Sequence, residues 1–292
     1  MSKYLQIFIT ASALLLMAGT ADAIEYDLSF DGAMDQTIMG GTTGGEAIFS
    51  QYTAIPAGTG YIDPFVRIQP QGYEHLDCPA GQTCEQAYNT DYRPVQFDTK
   101  DQNDWTKSLL LSDLVNPDSD SVQFLLDINQ DNGGGGEDKY LSLDELQFFV
   151  TADPNLHNYD DATNMFTSGA ELVWDLDNPM TADDWIKLNN YLGDQKCGSG
   201  DFELSVEILY EDFVAAADRL GIDVADAHVV LFSRFGDNAG LGSQSAGAND
   251  GFEEWSGVLF AGDTQVPEPG MVSLLFVGMV GVWAIRRRRK TA

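Results

Sequence analysis

The chain has 292 residues, with 46 acidic against 15 basic side chains and a formal net charge of −31. That balance argues against nucleic acid or an anionic lipid surface as a partner, because gripping phosphate needs Lys and Arg to displace counterions. It suits uptake of cations, and it equally suits a protein that is only being kept in solution.

In chain order, Lys3 gives a small positive start and Leu5 to Met17 is mostly apolar. Ala21-Asp22-Ala23 then has the A-x-A form of a leader cleavage site. Residues 1–23 are expected to be a signal peptide, with Ala21 and Ala23 setting the cut and Ile24 the first mature residue. Residues 24–264 then form one body, long enough for a sizeable core.

Three cysteines fall in that body. Cys78 and Cys84 flank a short loop in a chain expected to reach an oxidising compartment, and a Cys78–Cys84 bridge would contribute about 2–3 kcal/mol. Cys197 is left over, and its pairing stays open. His75, His157 and His228 show no zinc-ligand spacing.

The body reads as strands between turn-rich loops. Val122, Phe124, Leu126 and Ile128 alternate with Gln123, Leu125 and Asp127, and Phe202 to Ile208 alternates in the same way. Tyr61 to Ile68, Glu171 to Leu176 and Ala227 to Phe235 are further candidate strands. Gly40 to Gly45, Ala57 to Gly60, Gly133 to Gly136 and Ala239 to Gly251 are loops by composition. Tyr210 to Leu220 is the best helix candidate, closed by Gly221, and Ala182 to Asn190 is read as a further turn or two of helix. The expected fold is all-β: a single β-sandwich or jelly-roll-like domain with one or two short helices.

One stretch offers metal chemistry. Asp127, Asn129 and Asp131 place side-chain oxygens at the first, third and fifth positions of a calcium loop, and Leu141 and Glu145 repeat the spacing of its eighth and twelfth. Asp131 and Leu141 stand ten positions apart where such a loop has three, and the incoming segment alternates like a strand, so an EF-hand is not expected. The expected arrangement is a β-hairpin, with Val122 to Asn129 running up and Tyr140 to Val150 returning. It would gather Asp127, Asn129, Asp131 and Asp144 as a candidate Ca²⁺ site. The alternative is a polar turn bonded to its own backbone.

Asp175 with Asp177, Asp183 with Asp184, and Glu253 with Glu254 are weaker acidic pairs, each able to hold a cation or to act as acid and base. No nucleophile elbow, phosphate loop or zincin helix occurs. Trp174 lies in an apolar strand and is expected in the core. Trp255, after a loop, has a more open case for stacking on a sugar ring.

The end of the chain carries a three-part pattern. Pro267-Glu268-Pro269 is followed by the uncharged run Met271 to Ile285 and then by Arg286, Arg287, Arg288, Arg289 and Lys290. As a helix the run would span roughly 22 Å, short for a bilayer unless the membrane thins and the arginines snorkel. The basic cluster favours the cytoplasmic side, which leaves the body outside. These features resemble the PEP-CTERM sorting tail of exported Gram-negative proteins. The resemblance implies recognition by an exosortase at Pro267, Glu268, Pro269 and Arg286 to Arg289, with transient residence in the inner membrane. An ordinary uncut anchor is the alternative.

The body also carries Phe65-Val66-Arg67-Ile68, Tyr88-Asn89-Thr90-Asp91, Phe124 to Asn129, Leu141 to Leu146, Phe232-Ser233-Arg234-Phe235-Gly236 and Gly251-Phe252-Glu253-Glu254-Trp255. These motifs resemble a set of bacterial exported proteins with the same tail. That resemblance implies a shared β-rich fold, no catalytic residues, and an insertion at Cys78 to Cys84. The expected function is a non-enzymatic surface or extracellular-matrix protein, with Ca²⁺ or exopolysaccharide as candidate ligands and no nucleic acid. The alternative is a secreted glycan hydrolase using Glu253 or Glu254.

Overall fold

The computed structural model describes residues 23–41, 45–52, 63–69, 78, 84–101, 105–115, 119–130, 139–177, 183–190, 202–237 and 251–259. Residues 1–22 of the leader, the sorting tail, Cys197 and the loops at 57–60 and 133–136 lie outside them. Strands run in the order β1 (Glu25–Asp27), β2 (Gln36–Met39), β3 (Glu46–Gln51), β4 (Pro64–Ile68), β5 (Glu85–Tyr88) and β6 (Leu109–Leu110). The short helix α1 (Leu111–Leu114) precedes β7 (Ser121–Asp127), β8 (Tyr140–Thr151), β9 (Tyr159–Asp160), β10 (Met165–Phe166), β11 (Ala170–Asp175), β12 (Trp185–Asn189) and β13 (Leu204–Leu209). Helix α2 (Tyr210–Leu220) then leads to β14 (His228–Phe235) and β15 (Glu253–Gly257).

These elements build two facing sheets, the all-β sandwich expected. The larger has the path β1-β12-β8-β14-β5, with β11 also on β8 and β6 also on β14, and the smaller is β2-β3-β13-β7-β15-β4. Alternation decides which side chains meet between them. Val122, Phe124 and Leu126 of β7 and Leu204, Val206 and Ile208 of β13 face Leu146, Phe148 and Val150 of β8 and Val229 and Leu231 of β14 in one core. Phe124 and Phe148 touch across the gap with ring centroids 4.6 Å apart.

A β-bulge keeps β8 in phase with this core. Arg234 pairs with Glu145 and Phe235 with Leu143, so Asp144 is the extra residue. Without it, Leu141 and Leu143 could not share the inner face with Leu146, Phe148 and Val150. Helix α2 closes one end of the sandwich with Phe213, Ala216 and Ala217 buried. It stops at Gly221, whose φ of 76° is the left-handed conformation a helix terminus needs.

Two expectations are corrected. Residues 122–129 and 140–150 do not form a hairpin: β7 is central in the smaller sheet and β8 central in the larger. Each has neighbours on both sides within its own sheet, so the two strands are not partners. The segment from Ala182 to Asn190 is also not helical where it is described, because Trp185–Asn189 is β12, parallel to β1 and antiparallel to β8. Ile186 and Leu188 point into the core, which is a period of two rather than 3.6.

The outer face of the larger sheet has a second apolar cluster. Tyr88, Phe149, Leu156, Tyr159, Phe166, Leu172, Val230 and Phe232 pack together there, roofed by the β9–β10 hairpin. Tyr159 stacks on Phe232 at 4.0 Å. This partial third layer dries the surface beside it.

Candidate metal centre

Beside that roof three carboxylates converge. Glu145 is on β8, Asp175 ends β11, and Asp177 follows two residues later. One ligand oxygen from each lies within 4.8 Å of the others. The bulge at Asp144 turns Glu145 outward, and Asp175 stands opposite Gln147 on the neighbouring strand. Glu145 and Asp175 are both only 2 % exposed.

The surrounding polar groups fix the carboxylates and leave some oxygens without donors. Asp175 Oδ1 accepts from the Asp177 N–H at 3.0 Å and Oδ2 from Gln147 Nε2 at 3.3 Å. Asp177 Oδ1 accepts from the Asp184 N–H at 3.0 Å. Gln147 is itself held by the Tyr159 hydroxyl, which donates to its Oε1 at 2.8 Å. Glu145 Oε1 has no hydrogen-bond partner. Arg234 brings a guanidinium 3.6 Å from Glu145 Oε2, and divides that charge with Asp237 at 3.6 Å.

Burial dominates the electrostatics. It pushes Glu145 well above the usual carboxylate range, repulsion from Asp175 and Asp177 pushes it further, and Arg234 offsets part of this. Asp175 is raised mainly by burial. Asp177 is pushed up to about 8 by burial and by Asp175, Asp183 and Asp184, against the Asp184 N–H that favours its charge. Arg234 is raised on balance: burial lowers it, but Glu145, Tyr159, Asp237 and Asp161 outweigh that. Carboxylates held this far from ionising gain from a cation.

The sequence-selected residues are distributed otherwise. Asp127 stands opposite Glu254 in the smaller sheet. Asp144 sits at the β8 bulge in the larger sheet, where its Oδ2 accepts from Ser142 Oγ at 2.9 Å and the Asp237 N–H at 2.7 Å. Asn129 packs against Gly251, whose φ of 55° and lack of a Cβ admit that side chain. Asp131 lies outside the described residues. Cys78 and Cys84 are bridged, with Cα atoms 5.9 Å apart.

Glu253 and Glu254 diverge as consecutive residues of a strand must. Glu253 points between the sheets toward Glu85, whereas Glu254 pairs with Arg67 on the outside. Arg67 in turn stacks on Trp105 at 4.1 Å and Phe252 at 4.8 Å. Trp174 is in the core as expected, and Trp255 is there too. Trp255 is fully buried, with its indole N–H donating to Ser233 Oγ at 3.0 Å, so it offers no sugar platform. His157 stacks on Tyr92 at 3.9 Å and His228 begins β14; neither joins the carboxylate group.

Of the converging three, Asp175 and Asp177 were legible as a D-x-D pair and Glu145 as the acid of a calcium-loop half. Their meeting was not. Arg234 gave a faint signal, a charge in an otherwise apolar strand.

Fold and site together define an acidic all-β sandwich with carboxylates drawn together on one sheet. The tail places the chain more narrowly: residues 265–289 match the PEP-CTERM protein-sorting motif. The protein is thus an exported exosortase substrate, secreted by way of a sorting signal transiently anchored in the membrane. Among the described residues no helix is long and apolar enough to cross a membrane. No curated protein and no solved structure matches the chain.

Proposed function

We propose that this is a non-enzymatic component of the cell surface or extracellular matrix whose body binds calcium through Glu145, Asp175 and Asp177. The convergence of three carboxylates within 4.8 Å carries the metal reading. Three carboxyl groups beside a guanidinium that is shared with Asp237 carry net negative charge once ionised, which a divalent cation offsets. Hard oxygen ligands in an irregular setting suit Ca²⁺, whereas Zn²⁺ favours His and Cys, and the group has neither. A calorimetric titration of the full chain should show binding with Kd of about 0.1–1 mM, the range of extracellular calcium modules. Asp175→Asn with Asp177→Asn should remove the calcium held by this group, lowering the stoichiometry by one per chain. No heat at millimolar calcium, together with melting unchanged by chelator, would end the metal reading.

The matrix reading rests on the sorting tail and the acidic body. Calcium can join an acidic protein to acidic exopolysaccharide, so co-sedimentation with matrix polysaccharide should depend on calcium and be released by chelator. Recovery from the cytosol of cells with a working exosortase would contradict it. Against the hydrolase alternative, Glu253 and Glu254 face opposite sides of β15 and do not flank one bond. Glycan turnover abolished by Glu253→Gln or Glu254→Gln would reverse that judgement.

A further inference from the structure

A second pair of carboxylates lies inside the sandwich, at the end opposite α2. Glu85 opens β5 in the larger sheet, and Glu253 opens β15 in the smaller. Glu85 shares the inward side of its strand with Ala87, and Glu253 shares that of Trp255, both core residues. The two carboxyl groups therefore meet across the gap, within hydrogen-bond reach of each other, and both residues are 0 % exposed. The Cys78–Cys84 bridge anchors the chain immediately before Glu85.

The polar groups around the pair are incomplete in one direction only. No N–H or hydroxyl donor reaches either oxygen of Glu85 or Oε2 of Glu253, so Glu85 has only the Glu253 carboxyl to bond with, through a shared proton. Gln130, 3 % exposed, brings its amide to the pair: Nε2 donates to Glu253 Oε1 at 3.1 Å while its Oε1 has no partner. A half-turn of that amide presents the oxygen instead. No ion pair among the described residues involves Glu85 or Glu253. Every orphaned atom here is an acceptor, so the pair needs either a shared proton or, once ionised, a cation. Buried acceptors without donors are rare in folded proteins, and an ion is a standard remedy.

We propose that Glu85, Glu253 and Gln130 form an inter-sheet site for a calcium-class divalent cation, distinct from the Glu145 group. One such ion neutralises both carboxylates. Glu85 offers two oxygens, Glu253 one and Gln130 one, toward the six to eight that Ca²⁺ takes. Mg²⁺ fits less well, because it demands a near-ideal octahedron at about 2.0–2.1 Å, whereas Ca²⁺ tolerates an irregular set of oxygens at about 2.3–2.6 Å, its remaining positions open to backbone carbonyls or water. The ion would clamp the two sheets at the end that α2 does not close.

The test uses the full chain carrying Asp175→Asn and Asp177→Asn, so that only this site is left to respond. Calorimetry should still detect one calcium per chain. At a hundredfold excess over Kd the melting temperature should rise by roughly 5–10 °C. Adding Glu85→Gln, which keeps a hydrogen bond to Glu253, should weaken calcium binding at least tenfold and abolish that rise. If the first variant folds yet neither binds calcium nor melts higher with it, the inter-sheet site is wrong. Calcium binding unchanged by Glu85→Gln would also overturn it. A loss of binding only on Asp175→Asn and Asp177→Asn would leave the Glu145 reading standing alone. If Glu85→Gln does not fold, Gln130→Leu gives the same comparison, with weaker calcium binding expected and unchanged binding counting against the site.

Discussion

Trp255 is held between the sheets by its indole N–H, which donates to Ser233 Oγ at 3.0 Å from one sheet to the other. Replacing it with Phe keeps most of the buried ring but leaves that hydroxyl without its donor. Unfolding in urea should show a loss of about 1–3 kcal/mol, the cost of orphaning a buried polar group. Gly251 is constrained differently. At φ 55° a Cβ would overlap the Asn129 side chain, so Gly251→Ala combines backbone strain with a clash. It should destabilise by more than about 1 kcal/mol on the same measurement. Asp144 shows how burial reshapes a single acid: its pKa is pushed up to about 7, although Ser142 and the Asp237 N–H favour the charged form.

At the scale of the element, β8 depends on its bulge. Deleting Asp144 would restore a regular ladder and turn either Leu141 and Leu143 or Leu146, Phe148 and Val150 away from the core. The deleted chain should fail to accumulate in folded form, read as loss of a cooperative thermal transition. Helix α2 acts as a plug more than as an independent helix. Phe213 contacts both Phe124 and Phe148, with centroids 6.4 and 6.3 Å away, so it joins the two sheets. Phe213→Ala should cost about 3–5 kcal/mol, as other large cavities at packed aromatics do.

Across the whole molecule the buried acids set a pH dependence. Asp144 and Glu253 are raised to about 7 and Asp177 to about 8, while burial lifts Glu85 and Glu145 well above the usual carboxylate range. A carboxyl raised in the folded state binds its proton more tightly there than in the unfolded chain, so folding takes up protons. Stability of the metal-free protein is therefore greatest below about pH 4 as far as these groups decide it, and is lost as pH rises toward 7–8. Melting in chelator should show that decline, and saturating calcium should flatten it by holding the ionised forms. Sorting is a property of the whole chain too. Changing Pro267, Glu268 and Pro269 to alanine should leave a longer, membrane-associated form visible by immunoblot, where the parent chain yields a shorter one.

Much of this architecture was already encoded in local pattern. Alternation marked β7 and β13 and the inward side of each, and composition marked β11 and β14 as strands. Gly221 marked the end of α2, the spacing of Cys78 and Cys84 allowed their bridge, and the tail spelled out its own route. Alternation says which face of a strand is apolar, but it does not say which strand lies beside it. That is why β7 and β8 were expected as one hairpin and are found in opposite sheets, and why β12, too short to declare its period, needed β1 and β8 to make it a strand. The carboxylate sites belong to the same class of fact. Glu145 and Asp175 meet because β8 and β11 pair, and Glu85 and Glu253 because two sheets close face to face. The sequence determined the charge, the route and the inward faces, since these follow from neighbours along the chain. Only the tertiary structure decided which acids share a space, because contact across a sandwich depends on pairing and register between segments far apart.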